Sequence, residues 1–523
     1  MALPSVIFQD GQGGLGRPLT NNDHISGLLF YTNGTLPSGF ATTSVATRCK
    51  ALYSADEAIA AGIAKDYSDA TAASGTYTFT NVGAAGDIIE LKVADIAEAT
   101  GAAQSTSLGA YSRVAGDSTV TLLAVSYVAV INAGTPTHGY SATNSAGVVT
   151  ITAPKKLGAY LNGLTSISAT ITGTITGTIV QFTSGVASRM AQYYYQVAEF
   201  FRAQPKGKLW VGFFAVPGTY TYTEVTDMQN NAAGEIRQIG VFKDAVWAQA
   251  DTTTLHNIAN ANKLIYQPLQ VIYAANLQAT TDITTISDMA LLSNNNVQTC
   301  LGQDGGGFGN FLYKCNGTSG IKSITCVGFQ LGLTSARKVS ESIGWVEKGN
   351  ASNGVELEVP AFCNGQLVSA LSKNALDAID AKRHVFLIKM TGYTGTFFNG
   401  DHMCVSPASD YAYMRDNRTI CKAERLLYVS YVPKLNSPIQ FNSNGTLSDN
   451  AIAELEGVGT AALDVMTRID PTLGGIPELS AKSVTINPSQ NVVSTQTLTV
   501  AVVLVANGIA RNIVIPIGFK PSI

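Results

Sequence analysis

A two-residue alternation between residues 166 and 182 constrains the fold more than any other feature of this chain. Threonines occupy even positions from 170 to 178, and apolar residues occupy odd positions: Ile167, Ala169, Ile171, Ile175 and Ile179. A period of two over about 13 residues predicts a β-strand with one apolar and one polar face. The surrounding stretch, 68–185, is rich in Thr, Gly, Ser, Ala and Val, with further strand patterns at 76–80, 119–125 and 148–152. We therefore expect an all-β domain over 68–185.

Helix and strand patterns alternate on both sides of this stretch. Ser54-Ala-Asp-Glu57 has the form of a capping box and predicts a helix that ends near residue 65. Further helices are predicted at 186–202, 226–238, 252–263, 283–292, 335–347 and 372–381, and strands at 209–215, 239–242, 269–273, 297–301 and 385–390. This alternation predicts a mixed α/β multidomain protein, in which 21–67 and 186–395 form a core that carries 68–185 as an insertion.

The last third has a different pattern, with two long helices followed by strands. The helices are predicted at 410–429 and 448–468, and the strands at 483–486 and 496–506. We expect residues 396–511 to form a separate C-terminal domain.

Both ends of the chain carry short apolar β-segments for which the sequence offers no partner strand. The first, in residues 1–20, has Val6, Ile7 and Phe8 at its centre. The second, in residues 512–523, has apolar residues at alternate positions: Ile513, Ile515, Ile517 and Phe519. An exposed apolar strand is a liability unless another strand pairs with it. We therefore predict that both segments are extended arms that pair with neighbouring subunits of a self-assembling protein.

Composition excludes several classes of partner. Charged residues make up 13 % of the chain, about half the usual quarter, and the net charge is −3. This gives no electrostatic basis for direct binding to nucleic acid. The start of the chain has no basic or apolar leader, and no run of about 18 apolar residues occurs, so we expect neither a signal peptide nor membrane insertion. The seven cysteines include no C-x-x-C pair, which favours reduced thiols in a protein made in the cytoplasm.

Two glycine clusters resemble cofactor loops. The first matches G-x-G-x-x-G, but Arg17-Pro18 follows it instead of a helix, so we interpret Gly11, Gly13, Gly14 and Gly16 as a hinge. The second, at 303–310, lacks the Lys-[Ser/Thr] of a phosphate loop and is expected to be a flexible loop. No cofactor, metal site or catalytic residue is predicted, although a catalytic site assembled only in three dimensions stays open.

A segment near the C-terminus resembles the signature of contractile tail sheath proteins. A glycine/aspartate turn, Phe397-Phe-Asn-Gly-Asp401, is followed by a helix of the form Tyr-x-x-x-x-x-x-Arg-x-x-x-Lys-x-x-Arg. Tyr411, Arg418, Lys422 and Arg425 fit that pattern, and the order of parts over 1–65 and 186–523 is similar to the family's order.

The resemblance implies a structural subunit that polymerises around an inner tube and contracts to drive that tube through a target envelope. Its partners would be other copies of itself, the inner tube protein, and baseplate and terminator proteins. It would be made in the bacterial cytoplasm and reside in a virion tail or injection particle. The inserted domain would protrude outward, and Arg418, Lys422 and Arg425 would share one helix face toward the tube or a neighbour. The alternatives are a β-rich surface or ligand-binding protein and an α/β enzyme.

Overall fold

The computed structural model describes residues 22–243, 245–317, 322–469 and 475–517. It divides into two compact units, the first comprising 1–337 and 342–414 and the second 338–341 and 415–523. The first unit opens with β1 (Ser26–Tyr31), α1 (Val45–Arg48), β2 (Cys49–Leu52) and α2 (Ala55–Ala60). Residues 68–185, called the inserted region after the sequence prediction, then contain β3 (Ser74–Asn81), β4 (Ile88–Ile96), β5 (Ala103–Ser112), α3 (Val120–His138), β6 (Ser141–Ser145), β7 (Val148–Thr152), β8 (Ile167–Thr172) and β9 (Thr176–Thr183).

The rest of the first unit alternates helices and strands. In chain order these are α4 (Arg189–Ala203), β10 (Leu209–Phe214), α5 (Thr223–Asn231), β11 (Gln238–Phe242), α6 (Gln249–Leu264), β12 (Gln270–Ala274), β13 (Ser293–Asn294), β14 (Val297–Cys300), β15 (Gly302–Asp304), α7 (Phe308–Cys315), α8 (Val327–Ala336), β16 (Pro360–Phe362), α9 (Lys373–Ala381), β17 (Leu387–Met390), β18 (Tyr393–Phe398) and β19 (Cys404–Val405). The final elements are α10 (Met414–Tyr431), α11 (Asp449–Thr467), β20 (Leu479–Ile486), α12 (Val492–Thr495) and β21 (Val500–Ala506).

A six-stranded sheet forms the centre of the first unit. Its order is β14-β12-β11-β1-β10-β2, and every pair is parallel except β10 with β2. On β1, Leu28 and Phe30 pack in the cluster that contains α4 and α8, while Leu29 and Tyr31 pack with α5 and α6. Because helices cover both faces, β1 and β10 at the centre of the sheet consist mainly of apolar residues. The predicted strands at 209–215, 239–242, 269–273 and 297–301 are confirmed.

Helix α4 was predicted at the correct place, and its apolar stripe packs in the core. Gln196 holds α8 against it, since its side chain donates to the Thr325 carbonyl at 2.7 Å and accepts the Gly328 N–H at 2.8 Å. A side chain at Gly328 or Gly332 would collide with the backbone of Gln196 or Phe200. The glycines therefore allow α8 to cross α4 at close range.

The inserted region leaves and rejoins the core at one point. Thr71 and Val186 form an antiparallel bridge, and Asp69 accepts hydrogen bonds from Ser188 and from the N–H groups that start α4. Between them lie two antiparallel sheets, β6-β7-β3-β9 and β5-β4-β8.

The prediction that this region is all-β is wrong, because residues 120–138 form the 19-residue helix α3. Thr119 caps its start by accepting the Leu122 N–H, and Gly139 ends it at φ 80°. Leu123, Tyr127 and Ile131 point into the core at helical spacing. The β-branched residues of 119–125 suggested a strand, but this spacing and the two caps determine the helix. The alternating segment 166–182 is also divided, since Gly173 at φ 113° separates β8 from β9, which belong to different sheets.

Helix α3 is long and apolar enough to cross a membrane by length and composition alone, with a mean hydropathy of 1.4 over an 18-residue window. Core helices pass the same test. One face of α3 packs in the core of the inserted region, and 22 % of that window is buried.

Several other predicted elements are wrong in extent. Helix α2 ends at Ala60 instead of residue 65 because Gly62 takes the left-handed conformation at φ 84°. The helix predicted at 226–238 ends at Asn231, ahead of Gly234 at φ 73°. The segment 283–292 forms two short 3₁₀ turns capped by Asp282 and Asp288, and the helix predicted at 335–347 lies instead at Val327–Ala336.

The second glycine cluster is ordered, contrary to the flexible loop predicted at 303–310. Strand β15 precedes it, helix α7 follows it, and Gln303 and Asp304 are fully buried. All seven cysteines are buried as reduced thiols.

Candidate assembly surface

The second unit is built around the hairpin-like pair β20 and β21. These strands are antiparallel, and their inner residues, such as Val484, Val502 and Leu504, pack against α10 and α11. Helix α11 starts at Ser448, as predicted, because the Ser448 hydroxyl accepts the Ala451 N–H at 3.2 Å. Gly459 brings this helix close to the sheet, since a side chain there would lie 2.5 Å from the Tyr431 hydroxyl and 2.9 Å from Val484.

The outer face of this sheet is apolar but uncovered in the described part of the chain. Its positions are small or apolar and alternate with the inner ones: Ala481, Ser483, Thr485, Ala501, Val503 and Val505. Val503 is 60 % exposed and Val505 is 47 % exposed. Strands with apolar residues on both faces are typical of sheets covered on both faces. Here the described residues supply a cover for only one of these faces.

The sheet also has open edges. Within the described residues, β20 pairs only with β21, so each strand has one edge whose backbone groups face no other strand. Open edges of this kind accept an additional strand from another chain.

The C-terminal segment lies beside this open sheet in the sequence. Asn507 fixes its starting point, accepting a hydrogen bond from Ser480 at 2.7 Å and donating one to the Pro477 carbonyl at 2.6 Å. Residues 512–517 then adopt no regular secondary structure, so the predicted terminal strand is not formed in the single chain. Ile513 is 80 % exposed, Ile515 is 70 % exposed and Ile517 is 90 % exposed.

The remaining predicted arm and hinge residues are not among those that the structure describes. Val6, Ile7 and Phe8, the hinge glycines Gly11, Gly13, Gly14 and Gly16, and Phe519 lie outside the described residues.

The three basic residues on α10 do not form an open basic face. Arg418 is 4 % exposed and donates to the Lys338 carbonyl at 3.4 Å. Lys422 lies 2.8 Å from the Glu478 carboxylate, and both side chains are largely buried. Arg425 is half-buried. The i, i+4 spacing placed Arg418 and Lys422 on one face correctly, but that face turns toward partners in the same unit.

A doubly wound sheet usually binds ligands where its strand order reverses, at the carboxyl ends of the strands. In this chain, tyrosines fill that position beside β1. Tyr31 donates to Glu224 at 2.8 Å, and Tyr222 and Tyr273 are fully buried next to it. Lys243 and Asp251, which lie 2.6 Å apart, form an ion pair there. Burial raises the pKa of all three tyrosines, which keeps them neutral.

The inserted region contains a polar cavity of about 410 Å³. Asp95 forms part of its wall and is buried, with its carboxylate accepting hydrogen bonds from the hydroxyls of Thr106 and Tyr140. Gln104, His138 and Lys156 also line it. Burial lowers the pKa of His138, so the imidazole is held in its neutral form. Across the described ranges, no group of three His, Cys, Asp or Glu side chains is arranged to hold a metal ion.

Comparison with known proteins gives one family match. A family model described as "DUF2586, C-terminal domain" matches residues 410–522, which include α10, α11 and the open sheet. No curated protein matches the chain.

Two solved structures are similar at 11 % sequence identity. One is a chain in a cryo-EM structure of the sixfold-symmetrised anti-feeding prophage baseplate, with a TM-score of 0.40 over 65 % of this chain and 83 % of that chain. The other is the sheath tail protein from Desulfitobacterium hafniense, with a TM-score of 0.34 over 96 % of this chain and 100 % of that chain. Both TM-scores lie below 0.5, which is too low to establish a shared fold.

Proposed function

We propose that this protein is a structural subunit of a contractile tail sheath, which polymerises around an inner tube and contracts to drive the tube through a target envelope. The observation that carries the proposal is the open sheet of the second unit. Its apolar outer face and its strand edges lack a cover in the described chain, while an exposed apolar segment leaves the same unit at Asn507. A neighbouring subunit can cover this face and pair with these edges, and it can also bind the exposed segment.

The arms act by adding strands across subunits. In this proposal, residues 513–517 of one copy pair with a free edge of β20 or β21 in another copy, so the backbone groups of both become hydrogen-bonded. Alternate isoleucines then lie on one face of the enlarged sheet. The N-terminal segment around Val6–Phe8 provides the second link, and Gly11–Gly16 gives that link the freedom to bend while the rigid units move.

The contractile assignment is supported by the resemblance of residues 397–425 to the sheath signature. The partners are further copies of this chain, an inner tube protein, and baseplate and terminator proteins, in a virion tail or injection particle. Contact of Arg418, Lys422 and Arg425 with the tube stays a prediction, and Arg418 and Lys422 would have to exchange their present partners to make it.

A structural role also agrees with the side chains at the carboxyl ends of the parallel strands. The position where doubly wound enzymes bind their ligands is filled by Tyr31, Tyr222 and Tyr273, and Lys243 and Asp251 neutralise each other. These groups serve packing in this chain, so we propose no catalytic role for them.

The test is assembly of the full chain, followed by electron microscopy and sedimentation velocity. The wild-type protein, alone or co-expressed with its tube protein, should form striated tubes or hollow cylinders. The double variant Ile513→Asp, Ile515→Asp places two charges on the segment that would enter an apolar sheet edge. We expect it to remain folded, because both side chains are exposed, and to lose assembly.

Leu291→Asp is the matched control. Leu291 is 81 % exposed on the first unit, so it tests whether any added charge on an exposed apolar residue blocks assembly. The control should assemble like the wild type. Tubes formed equally well by the Ile513/Ile515 variant would contradict the linking role of the C-terminal arm. Only discrete small particles from wild-type protein supplied with its tube would contradict the sheath proposal itself.

The cavity of the inserted region favours a second candidate function, binding of a small polar ligand. Its buried Asp95 carboxylate is held by hydroxyl donors, and Gln104 and Lys156 add further donors and an acceptor. We propose neutral polyhydroxy compounds as the class to test. Saturation-transfer NMR with a monosaccharide panel should detect binding that Gln104→Ala weakens; no binding from the whole panel would reject this candidate.

A further inference from the structure

The glycine-rich turn between β15 and α7 binds two carboxylates of the chain itself. Asp304 Oδ1 accepts the N–H groups of Gly306 and Gly307, both at 2.9 Å. Glu356 accepts the Phe308 N–H at 3.1 Å and 3.0 Å with its two oxygens. The first N–H groups of a helix are a ready binding site for negative charge. Here Asp304 and Glu356 occupy it together.

The two carboxylates converge on the space above Gly307. A side chain there would collide with Asp304 Oδ2 and would lie 2.7 Å from Glu356 Oε2. Asp304 is fully buried, and no donor from the described residues reaches its Oδ2 atom. A carboxylate pair so arranged has no donor of its own unless one member is protonated.

The surrounding groups do not neutralise the pair. Glu199 on α4 is also buried, but it is engaged by Arg202, whose Nε lies 2.8 Å from Glu199 Oε1. The Tyr195 hydroxyl is buried near the pair and has no hydrogen-bond partner among the described residues, and the Cys326 thiol is a further titratable group that interacts with it. Lys65 stacks on the Phe308 ring at 3.8 Å but pairs with Glu98. In the described part of the chain, no cation forms an ion pair with Asp304 or Glu356.

Glu356 lies in the loop 353–358, whose backbone is strained. Leu357, the next residue, is fully buried at φ 56°, in the left-handed region that residues with a side chain rarely adopt. Asn353 Oδ1 supports the loop by accepting the N–H groups of Val355 and Glu356. Such strain persists only where surrounding contacts enforce it.

Helix α7 connects this pair to the inserted region. Asn310 donates to the Thr100 carbonyl at 2.8 Å, and Lys314 donates to the Gly101 carbonyl at 2.7 Å. At the helix end, the Ala159 N–H donates to the Cys315 carbonyl at 2.8 Å. Helix α7 is therefore hydrogen-bonded along its length to the β4–β5 turn and, at its end, to Ala159.

We propose that Glu356 holds a proton that it donates to Asp304 above Gly307, and that this forms a pH-sensitive contact that fastens the 353–358 loop to the start of α7. With the proton, the pair carries one negative charge and an O–H···O bond. Without it, the buried Asp304 and the half-buried Glu356 repel each other as two facing carboxylates, and the loop separates from α7. The inserted region then loses part of its attachment to the core.

The direction of the pH effect follows from proton binding in the two states. Burial, the facing Asp304 and then Glu199 raise the pKa of Glu356 to about 8, although the Phe308 N–H opposes this. In the opened loop, Glu356 has the ordinary pKa of a glutamate, about 4.3. The closed state therefore binds more protons between these values. The contact is strongest below about pH 4.3, weakens as pH rises, and is lost as pH passes through 8.

The test compares the pH dependence of local opening in wild type and in Glu356→Gln, by hydrogen exchange and mass spectrometry of peptides covering 305–315. The full chain is used, and rates are corrected for intrinsic exchange. The glutamine amide donates to Asp304 Oδ2 at every pH, as the protonated acid does. Corrected exchange in the wild type should increase roughly tenfold or more between pH 6 and pH 9. Exchange in Glu356→Gln should change little over that range.

Glu358→Gln is the control, because Glu358 belongs to the same loop but pairs with Lys389 at 2.6 Å on the surface. It should retain the wild-type pH profile. Asp304→Asn provides an amide donor to the Glu356 carboxylate. Its exchange should therefore vary little with pH, and this variant serves as the test if Glu356→Gln folds poorly. Equal pH profiles in wild type and in whichever donor variant folds would overturn the proposal.

Discussion

The two main sheets of this protein differ in how many of their faces are covered by helices. The six-stranded sheet has helices on both faces, and β1 at its centre is completely buried. The β20–β21 sheet has helices on one face, while its other face exposes Val503 and Val505. Both sheets have apolar residues on both faces. The first is therefore covered on both faces within the described residues, whereas those residues cover the second on one face only.

The largest loss of stability should come from adding a side chain where α4 and α8 cross in the first unit. Gly328→Leu places a side chain against the Gln196 carbonyl where α8 crosses α4, so the helices must separate. Overpacking usually costs 1–3 kcal/mol, and a clash with backbone lies at the upper end, so we expect a loss of about 3 kcal/mol or more in the free energy of unfolding. Chemical denaturation of the purified protein measures it.

Gly116→Leu is the control for this change. A side-chain carbon added at Gly116 would meet no heavy atom within 4 Å, and the backbone there is not left-handed. The same substitution should therefore change stability by less than about 0.5 kcal/mol. If both variants lost equal stability, the close crossing at Gly328 would not be the cause.

A smaller effect distinguishes the two sheets directly. Val241 in the first sheet is fully buried, whereas Val503 in the second is 60 % exposed. Val241→Ala should cost about 2 kcal/mol, from two buried carbon groups and the cavity they leave. Val503→Ala should cost less than about 0.5 kcal/mol in the unassembled chain.

Assembly sharpens this comparison. If a neighbouring subunit covers the outer face of β21, Val503→Ala should weaken assembly although it leaves the unassembled chain stable. Sedimentation at a series of protein concentrations measures the weakening. An unchanged assembly midpoint would show that the Val503 face remains in solvent.

The sequence predicts correctly those elements whose residue pattern follows from a single cause, such as burial on both faces or a helix cap. Buried strands such as 239–242 are apolar throughout because both faces are covered, and helix α11 follows directly from its cap at Ser448. Helix α3 was missed because its valines favour strands locally, whereas its two caps and the helical spacing of Leu123, Tyr127 and Ile131 determine a helix. The extent of α2 and α5 depended on Gly62 and Gly234, whose positive φ angles become evident only in the fold.

The candidate surface was predictable only in part. The alternating isoleucines identify the C-terminal segment, and Ile513, Ile515 and Ile517 are indeed exposed. The orientation of Arg418 and Lys422 was not predictable, since Lys338 and Glu478, their partners, are distant in sequence. Likewise, Asp304 and Glu356 meet only because a strained loop brings them to one glycine turn. Local patterns indicate which face a residue occupies but not what that face meets.

The smallest effect tests whether the covered face of the second sheet is packed as tightly as the first sheet. Gly457 and Gly459 lie on the same helix, α11, two residues apart. A methyl group at Gly457 meets no heavy atom within 4 Å, while one at Gly459 would lie 2.5 Å from the Tyr431 hydroxyl and 2.9 Å from Val484. Gly457→Ala should therefore stabilise the second unit by about 0.5–1 kcal/mol through helix propensity. Gly459→Ala gains the same propensity but forces the helix from the sheet, so we expect a net loss of about 1 kcal/mol. Thermal unfolding followed by circular dichroism separates the two. Stabilisation by both substitutions would show that α11 is packed loosely on β20, and the second unit would then be incomplete on both faces of its sheet.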